Sequence, residues 1–472
     1  MITLQTKISN CAKDQFLRND EKYHLFVVSK LDNLFATPVS NNVPLSDVIE
    51  EHYSNFSFEE DSEYKGIPTG QSYIDEDGDI VDFQPITSEN HPGRLKYLIS
   101  NENILLSSLR LAKSPALMFD EIDLSNYVFS NGFYIFTVKH GWNKKFVLYV
   151  LRSKRIKNIL DNNIYRGIGI SAYRVEDLLK CEIRNVPQSE QNSAVEKIIP
   201  IESCIKVLKS SIMKPQKIID SVFTREFGLD YIKYEQLTQI KQYSTGYTSF
   251  SNNPDLRFSA KFHREAGDFV MSQLTSITGK KIKHFLSEPI VLGASVSPDD
   301  YSEDGEFFYI SMATIKEWSF NPEGANTVSK AYSDAKAEKT VRKNDIILAR
   351  SGEGTIGKVA LIDDDEVQGV FADFTMRIRL KNYNPEFAYY YLRTSYFQYL
   401  IEVYKKGLGN NTNIFPIGIL EFPLIDRSLK EQQRIVDEIH TEIAKQDAIK
   451  AEITDLRAQI DKIIEDTICV DK

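Results

Sequence analysis

Apolar residues recur at every third or fourth position in two stretches of the chain. Ile198, Ile201, Ile205, Leu208, Ile212, Ile219 and Val222 form one series, with Pro215 on the missing beat. Ile449, Ile453, Leu456, Ile460 and Ile463 form the other. Spacing that averages 3.5 residues makes a narrow stripe along a helix, the seam of a coiled coil. Two long helices packed on each other are therefore expected. Proline removes a backbone donor and crowds the preceding turn, so Pro200 and Pro215 should interrupt the first helix. A short helix ending at Gly228 should follow the break near Pro215.

Elsewhere the pattern is that of short strands. "FFYISMAT", "NDIILARS", "KVALI" and "TMRIRLK" alternate or run β-branched between turn residues. "PEFAYYYLRTSYFQYLI" reads as a helix, with Phe387, Tyr390, Phe397 and Leu400 on one side. "YSTGYTSFSNNPD", from Tyr243, reads as a linker.

The chain also repeats itself at long range. "RNDEKYH" at Arg18 returns as "RFSAKFH" at Arg257. Asn103 in "NILLS" matches Asp345 in "DIILA", and Phe129 matches Phe371, each 242 residues on. Phe146 with Phe387, Arg152 with Arg393 and Glu190 with Glu431 repeat at 241 residues, and Gly167 with Gly407 at 240. Late in the helices "KIIDSV" at Lys217 meets "KIIEDT" at Lys462, 245 residues on, an insertion of one helical turn. The expected fold class is α+β: two mostly-β domains separated by two long helices packed as an antiparallel coiled coil, with an internal pseudo-twofold repeat. The boundaries expected are 1–187 for the first domain, 188–228 for the first helix, 229–255 for a linker, 256–427 for the second domain and 428–470 for the second helix.

Composition narrows the class. The chain has 472 residues, 42% hydrophobic and 26% charged, as in an ordinary globular protein. Its four cysteines (Cys11, Cys181, Cys204, Cys469) have no metal-ligand spacing and read as reduced cytoplasmic thiols. No secretory h-region and no run of 18 apolar residues is visible, so neither export nor membrane insertion is expected. A net charge of −10 argues against coating nucleic acid by bulk charge, but not against a reader whose basic groups are local.

One stretch invites a catalytic reading. "SGEGTIGKVAL", residues 351–361, fits G-x-G-x-x-G, the kinase loop G-x-G-x-x-G-x-V and nearly a Walker A loop. A dinucleotide fold needs a helix after the loop, yet "VALI" reads as a strand. Walker A needs Ser or Thr after the lysine, and Val359 stands there. H-R-D and D-F-G do not occur, and the matching stretch of the first copy, "SSLRLAKSPALMF", has no glycine. A tight hairpin turn is the better reading. "DEDGDI", from Asp75, has its glycine at the wrong place for a calcium loop and also reads as a turn. The five tyrosines from Tyr389 to Tyr399 read as core, because the first copy is apolar there. No catalytic constellation, metal site or cofactor is expected.

Hydroxyls, amides and cations around two loops suit phosphates and base edges instead. In the second copy these are Arg350, Ser351, Thr355 and Lys358, then Lys405, Lys406, Asn410, Asn411, Thr412 and Asn413. The corresponding places in the first copy hold Arg110, Lys113, Ser114, Arg166, Ser171 and Tyr173. Two other readings stay open: a nucleotide-binding enzyme using the Gly352–Lys358 loop, and a coiled-coil scaffold that binds only protein.

"NDIILARSGEGTIGKVALI", "GLGNNTNIFPIGILEFPL" and "SLKEQQRIVDEI" together resemble the specificity (S) subunit of type I restriction–modification enzymes. The resemblance covers residues 256–468 and the tail "PQKIIDSVFTREFGL"; the first copy lacks the glycine hairpin and the Asn-containing loop. It implies a non-catalytic, cytoplasmic subunit whose two target recognition domains each read half of a bipartite sequence in double-stranded DNA. It implies two methyltransferase (M) subunits seated on the helices, and a motor–nuclease (R) subunit as an optional partner. A 40-residue helix is about 60 Å long and one DNA turn about 34 Å, the right order for two half-sites about a turn apart.

Overall fold

The computed structural model describes residues 41–59, 62–69, 72–75, 77–109, 116–120, 122–160, 173–251, 257, 259–315, 317–352, 354–407 and 411–468. It divides into two compact units, Met1–Ser211 with Lys450–Lys472, and Ile212–Ile449.

In the first unit, a four-stranded sheet runs in the order Ile49–Glu51, Phe133–Val138, Ile104–Ser107, Ala116–Leu117. A five-stranded sheet runs Ser54–Asn55, Leu95–Leu98, Tyr127–Ser130, Tyr64–Ile67, Gln84–Ile86, with its last but one pair parallel. In the second unit, Val359–Leu361, Ile346–Ala349 and Thr375–Ile378 form one antiparallel sheet. Thr327–Val328, Phe307–Ile310 and Gly369–Phe371 form another, again with one parallel pair. Ile104–Ser107 and Ile346–Ala349 are buried at every residue, which suits continuous apolar runs.

Both units mix strands with helices, so "mostly β" overstates the strands. In the second unit Pro385–Arg393 and Ser395–Tyr404 supply much of the core, including Phe387, Tyr391, Tyr396 and Phe397. The single helix expected here is two. Thr394 leaves the helix at φ −53°, ψ 146°; its hydroxyl donates to Tyr391 O (2.7 Å) and caps Phe397 N. Asn384 starts the pair by accepting from Glu386 N and Phe387 N, with Pro385 in the first turn.

The first unit is wired the same way at the same spacing. Asn143 caps Lys144–Arg152, and Ser153 Oγ donates to Val150 O (2.7 Å) before Lys154–Ile159. The backbone N–H of Asn143 donates to Gln191 Oε1 (2.7 Å), and that of Asn384 to Gln432 Oε1 (2.8 Å). Gln191 Nε2 donates to Val186 O and Gln432 Nε2 to Arg427 O, both at 2.7 Å.

The helix Gln188–Ser211 runs through Pro200, which does not break it. Pro200 is on the exposed side, where water can satisfy the carbonyl that loses its donor. Helix stops at Ser211 and restarts with Pro215 in its first turn, then ends at Gly228 with φ +62°. Residues 229–255 hold helices Tyr231–Gln239 and Tyr247–Ser251. Leu429–Ile468 is one helix of 40 residues, opened by a reciprocal bond between Ser428 and Glu431.

Within the first unit, Ala194, Val195 and Ile198 share a cluster with Ile464 and Ile468. Within the second, Ile219, Val222 and Phe223 share one with Ile435, Val436 and Ile439. There Met213 N donates to Gln446 Oε1 (2.8 Å), while Arg225 pairs with Glu438 and Arg434 with Glu226. Of the expected seam, Ile198, Ile205, Ile219, Val222 and Ile453 are buried. Ile201, Leu208, Ile212, Ile449, Leu456, Ile460 and Ile463 are only half-buried.

The acidic turn from Asp75 is a hairpin closed by Asp75 N to Asp79 O (3.0 Å), with Gly78 at φ +90°. Its carboxylates are held by side chains of the same unit. Asp77 takes Arg457 Nη2 at 2.9 Å on each oxygen and Lys209 Nζ at 2.6 Å. Burial opposes ionisation of Asp77, but the Arg457 and Lys209 bonds outweigh it and hold the carboxyl below its usual range.

Candidate nucleic-acid interface

Strands Ile346–Ala349 and Val359–Leu361 pair antiparallel with Leu348 opposite Val359. The glycine stretch between them is therefore a hairpin loop with no helix after it, and the support a dinucleotide site needs is missing. Gly352, Gly354 and Gly357 have φ of 87°, 80° and 85°. A Cβ on Gly357 would also meet Gln398 Oε1 at 2.7 Å, where Gln398 Nε2 grips Gly357 O (2.8 Å).

The second loop closes on this hairpin. Lys406 and Asn413 exchange backbone bonds of 2.8 and 2.7 Å, and Ser351 bridges Asn413. Gly407, at φ +112°, would press a Cβ to 2.2 Å from Asn411 O, so only glycine fits that closure. Arg350 ties the loops by side chain: Nε donates to Asp373 O (2.9 Å) and Nη1 to Asn413 Oδ1 (3.1 Å). Asn413 Nδ2 in turn donates to Asn411 O (3.3 Å). Two loops joined by a bond between residues 63 apart in sequence, Arg350 and Asn413, thus form one surface.

Not every expected reader faces outward. Ser351 is 8% exposed and donates to Thr412 O (3.2 Å); Thr412 itself is 5% exposed. Thr355 Oγ1 turns back to Ser351 O (3.0 Å). The Ser351 and Thr355 hydroxyls hold the loops in shape. Lys405 pairs with Glu402 (3.0 Å), which also binds Lys261. Burial pushes the Glu402 carboxyl up, but Lys261 and Lys405 outweigh it and keep it low. Lys406 and Asn411 are exposed, while Lys358 and Asn413 are half-buried.

In the first unit Tyr173 is 4% exposed, packs on Tyr134 (5.5 Å between rings) and accepts from Tyr134 OH at its carbonyl (2.7 Å). The reason is positional: Tyr173 N donates to Ser108 O as Ile414 N donates to Arg350 O, so Tyr173 stands where the second unit buries Ile414. Arg110, Lys113, Ser114, Arg166, Ser171 and Asn410 lie outside the described residues. The sequence reading missed Phe374 and Phe415, 47% and 42% exposed beside these loops. A usable signal existed for Phe374, since its partner in the first copy is Gly132, a residue the copies do not share.

Residues 290–456, which include both loops, match the model of the type I restriction modification DNA specificity domain. The stretch that carries both loops therefore resembles a type I restriction–modification specificity domain. One similar solved chain comes from work on complex assembly and conformational transition of the type I R-M system, at 16% identity and TM-score 0.52, covering 91% of this chain and 98% of that one. That likeness concerns the fold. The HsdS subunit from Thermoanaerobacter tengcongensis is 16% identical over 93% of this chain and 98% of its own length, with TM-score 0.36. The S subunit from M. genitalium is 14% identical over 91% and 96%, with TM-score 0.38. No curated protein matches the chain. Among the described residues, no helix is long and apolar enough to cross a membrane, and no group of three His, Cys, Asp or Glu could hold a metal.

Proposed function

We propose that the two units are copies of one recognition module, each reading one half of a split DNA sequence, and that the chain is a non-catalytic cytoplasmic subunit. The domains then follow the boundaries 1–187 and 256–427, joined by helices 188–228 and 428–470 that pack as an antiparallel coiled coil about a pseudo-twofold axis. Two methyltransferase subunits sit on those helices, and a motor–nuclease subunit is an optional further partner. The observation that carries this reading is the shared wiring: Asn143–Gln191 and Asn384–Gln432 make the same bonds 241 residues apart. A duplicated module with different loops is what a bipartite target requires, because residues common to both copies cannot distinguish two half-sites.

In the second unit Lys406, Asn411, Asn413 and Lys358 face the DNA, with Asn suited to adenine and Lys to guanine or phosphate. Arg350, Ser351, Thr355, Lys405, Asn410 and Thr412 complete or support that surface. In the first unit the reading falls to Arg110, Lys113, Ser114, Arg166 and Ser171, with Tyr173 as support.

The test replaces residues 256–427 with the equivalent part of a related chain and maps methylation in cells that carry the methyltransferase subunits. One half of the recognised sequence should change and the other persist. If both halves change together, one copy does not read one half-site.

A further inference from the structure

Phe374 occupies the turn between strands Gly369–Phe371 and Thr375–Ile378, and 47% of it is exposed. Phe371, three residues earlier, is wholly buried, so the exposure belongs to this position and not to a loosely packed strand end. The Arg350 guanidinium lies 5.7 Å from the Phe374 ring centroid. Its Nε and Nη1 are bonded to Asp373 O and Asn413 Oδ1, so Arg350 is anchored at two points. Backbone bonds fix the same arrangement: Arg350 N donates to Phe374 O (3.0 Å), and Ile414 N to Arg350 O (2.8 Å). The ring therefore stands at the rim of the surface formed by the two loops, and one face is occupied by a cation that cannot easily swing away.

The first unit repeats the backbone but not the side chains. Ser108 N donates to Gly132 O (3.0 Å), as Arg350 N does to Phe374 O, 242 residues later. Gly132 has no room for a side chain, since a Cβ there would meet Thr69 Oγ1 at 2.5 Å. The ring and its anchor are thus found in one copy only.

We infer that Phe374, positioned by Arg350, is a specificity contact of the second unit, and that it recognises the C5-methyl of a thymine in the major groove. The inference rests on the proposed reading of that unit as a DNA reader. Its chemistry follows from the groove: the thymine methyl is the one apolar group on a base edge there, and an exposed ring among amides and cations suits it. Arg350 then acts through the ring and the Asn413 amide and does not itself need to reach a base. Intercalation of the ring between base steps is the competing outcome, and it would not depend on a methyl group.

The experiment uses the full chain assembled with its methyltransferase subunits, on the target established by methylation mapping. Each thymine of that target is replaced in turn by uracil, which keeps the base pair and removes only the methyl. Binding is followed by fluorescence anisotropy. At one thymine, in the half-site assigned to residues 256–427, the wild type should lose about fivefold in affinity, the low end of the cost of a mismatched pair. The same replacement should have no effect on Phe374→Ala and should still weaken Phe374→Leu, which keeps apolar bulk. Arg350→Ala should reduce the thymine-to-uracil ratio, an effect that mere loosening of the fold would not confine to one position. Melting curves should show Phe374→Ala folded as the wild type. Equal sensitivity of wild type and Phe374→Ala at every position, or no sensitive thymine in that half-site, overturns the inference. A wild-type assembly that fails to prefer its target over unrelated duplex overturns the DNA-reading itself.

Discussion

The matched glutamines give the sharpest test of the duplicated wiring. Gln432 is 1% exposed and Gln191 0%. Each side chain accepts from the backbone N–H that starts a core helix, Asn384 or Asn143, and donates to a carbonyl just before its own helix, Arg427 or Val186. Gln432→Ala deletes two hydrogen bonds and strands their partners away from water. A net bond is worth about 1 kcal/mol and a stranded buried group costs about 1–3 kcal/mol, so the expected loss is about 2–4 kcal/mol. In a unit of this size each kcal/mol lowers the melting point by roughly 2–4 °C, so a shift of several degrees should be seen by differential scanning calorimetry. Gln191→Ala should cost as much or slightly more, since it makes the same two bonds and a longer third to Gly141 O (3.3 Å). The double variant should be additive, because the sites belong to different units. A loss under about 1 kcal/mol in either variant, or costs that differ more than twofold, would refute the claim that the two copies share one energetic design.

Asp77→Asn should destabilise the first unit at neutral pH by removing the charge that Arg457 and Lys209 share. The folded carboxyl titrates below its ordinary value of 3.8, so its contribution is complete above that pH and is lost as pH falls through the lower folded value. The gap in unfolding midpoint between wild type and Asp77→Asn should therefore be present at pH 7 and shrink below pH 3.8; a gap that widens on acidification is the wrong sign. Ile464→Asp puts an unpaired charge beside Val195 and Ile198 and should cost on the order of 3 kcal/mol or more, whereas Leu456→Asp, half-buried, should cost clearly less. Thermal unfolding of the two variants in parallel decides it. Calorimetric titration with ATP or NAD should give no binding, since the glycine loop joins two strands; micromolar affinity abolished by Gly354→Val would restore the nucleotide reading.

The sequence alone determined a good deal of this molecule. Heptad spacing reports a helix face whatever surrounds it, which is why both long helices were legible. Pro215 and Gly228 act through their own backbone preferences, so the second helix of the first copy was bounded without any tertiary knowledge. The 241-residue offset read from Phe146 with Phe387 and Glu190 with Glu431 recurs in the bonds of Asn143 with Gln191 and Asn384 with Gln432. What only the tertiary structure decided was the direction in which each polar side chain is spent. Ser351, Thr412 and Tyr173 have the chemistry of readers, yet all three are buried, and the Ser351 hydroxyl donates to Thr412 O, 61 residues on. Pro200 did not break its helix because it faces solvent, a fact of the packed surface. Arg350 and Asn413 are 63 residues apart, and their bond exists only once the two loops close on each other. Local preferences are written residue by residue; exposure is a property of the whole fold, and a binding surface is made of exposure.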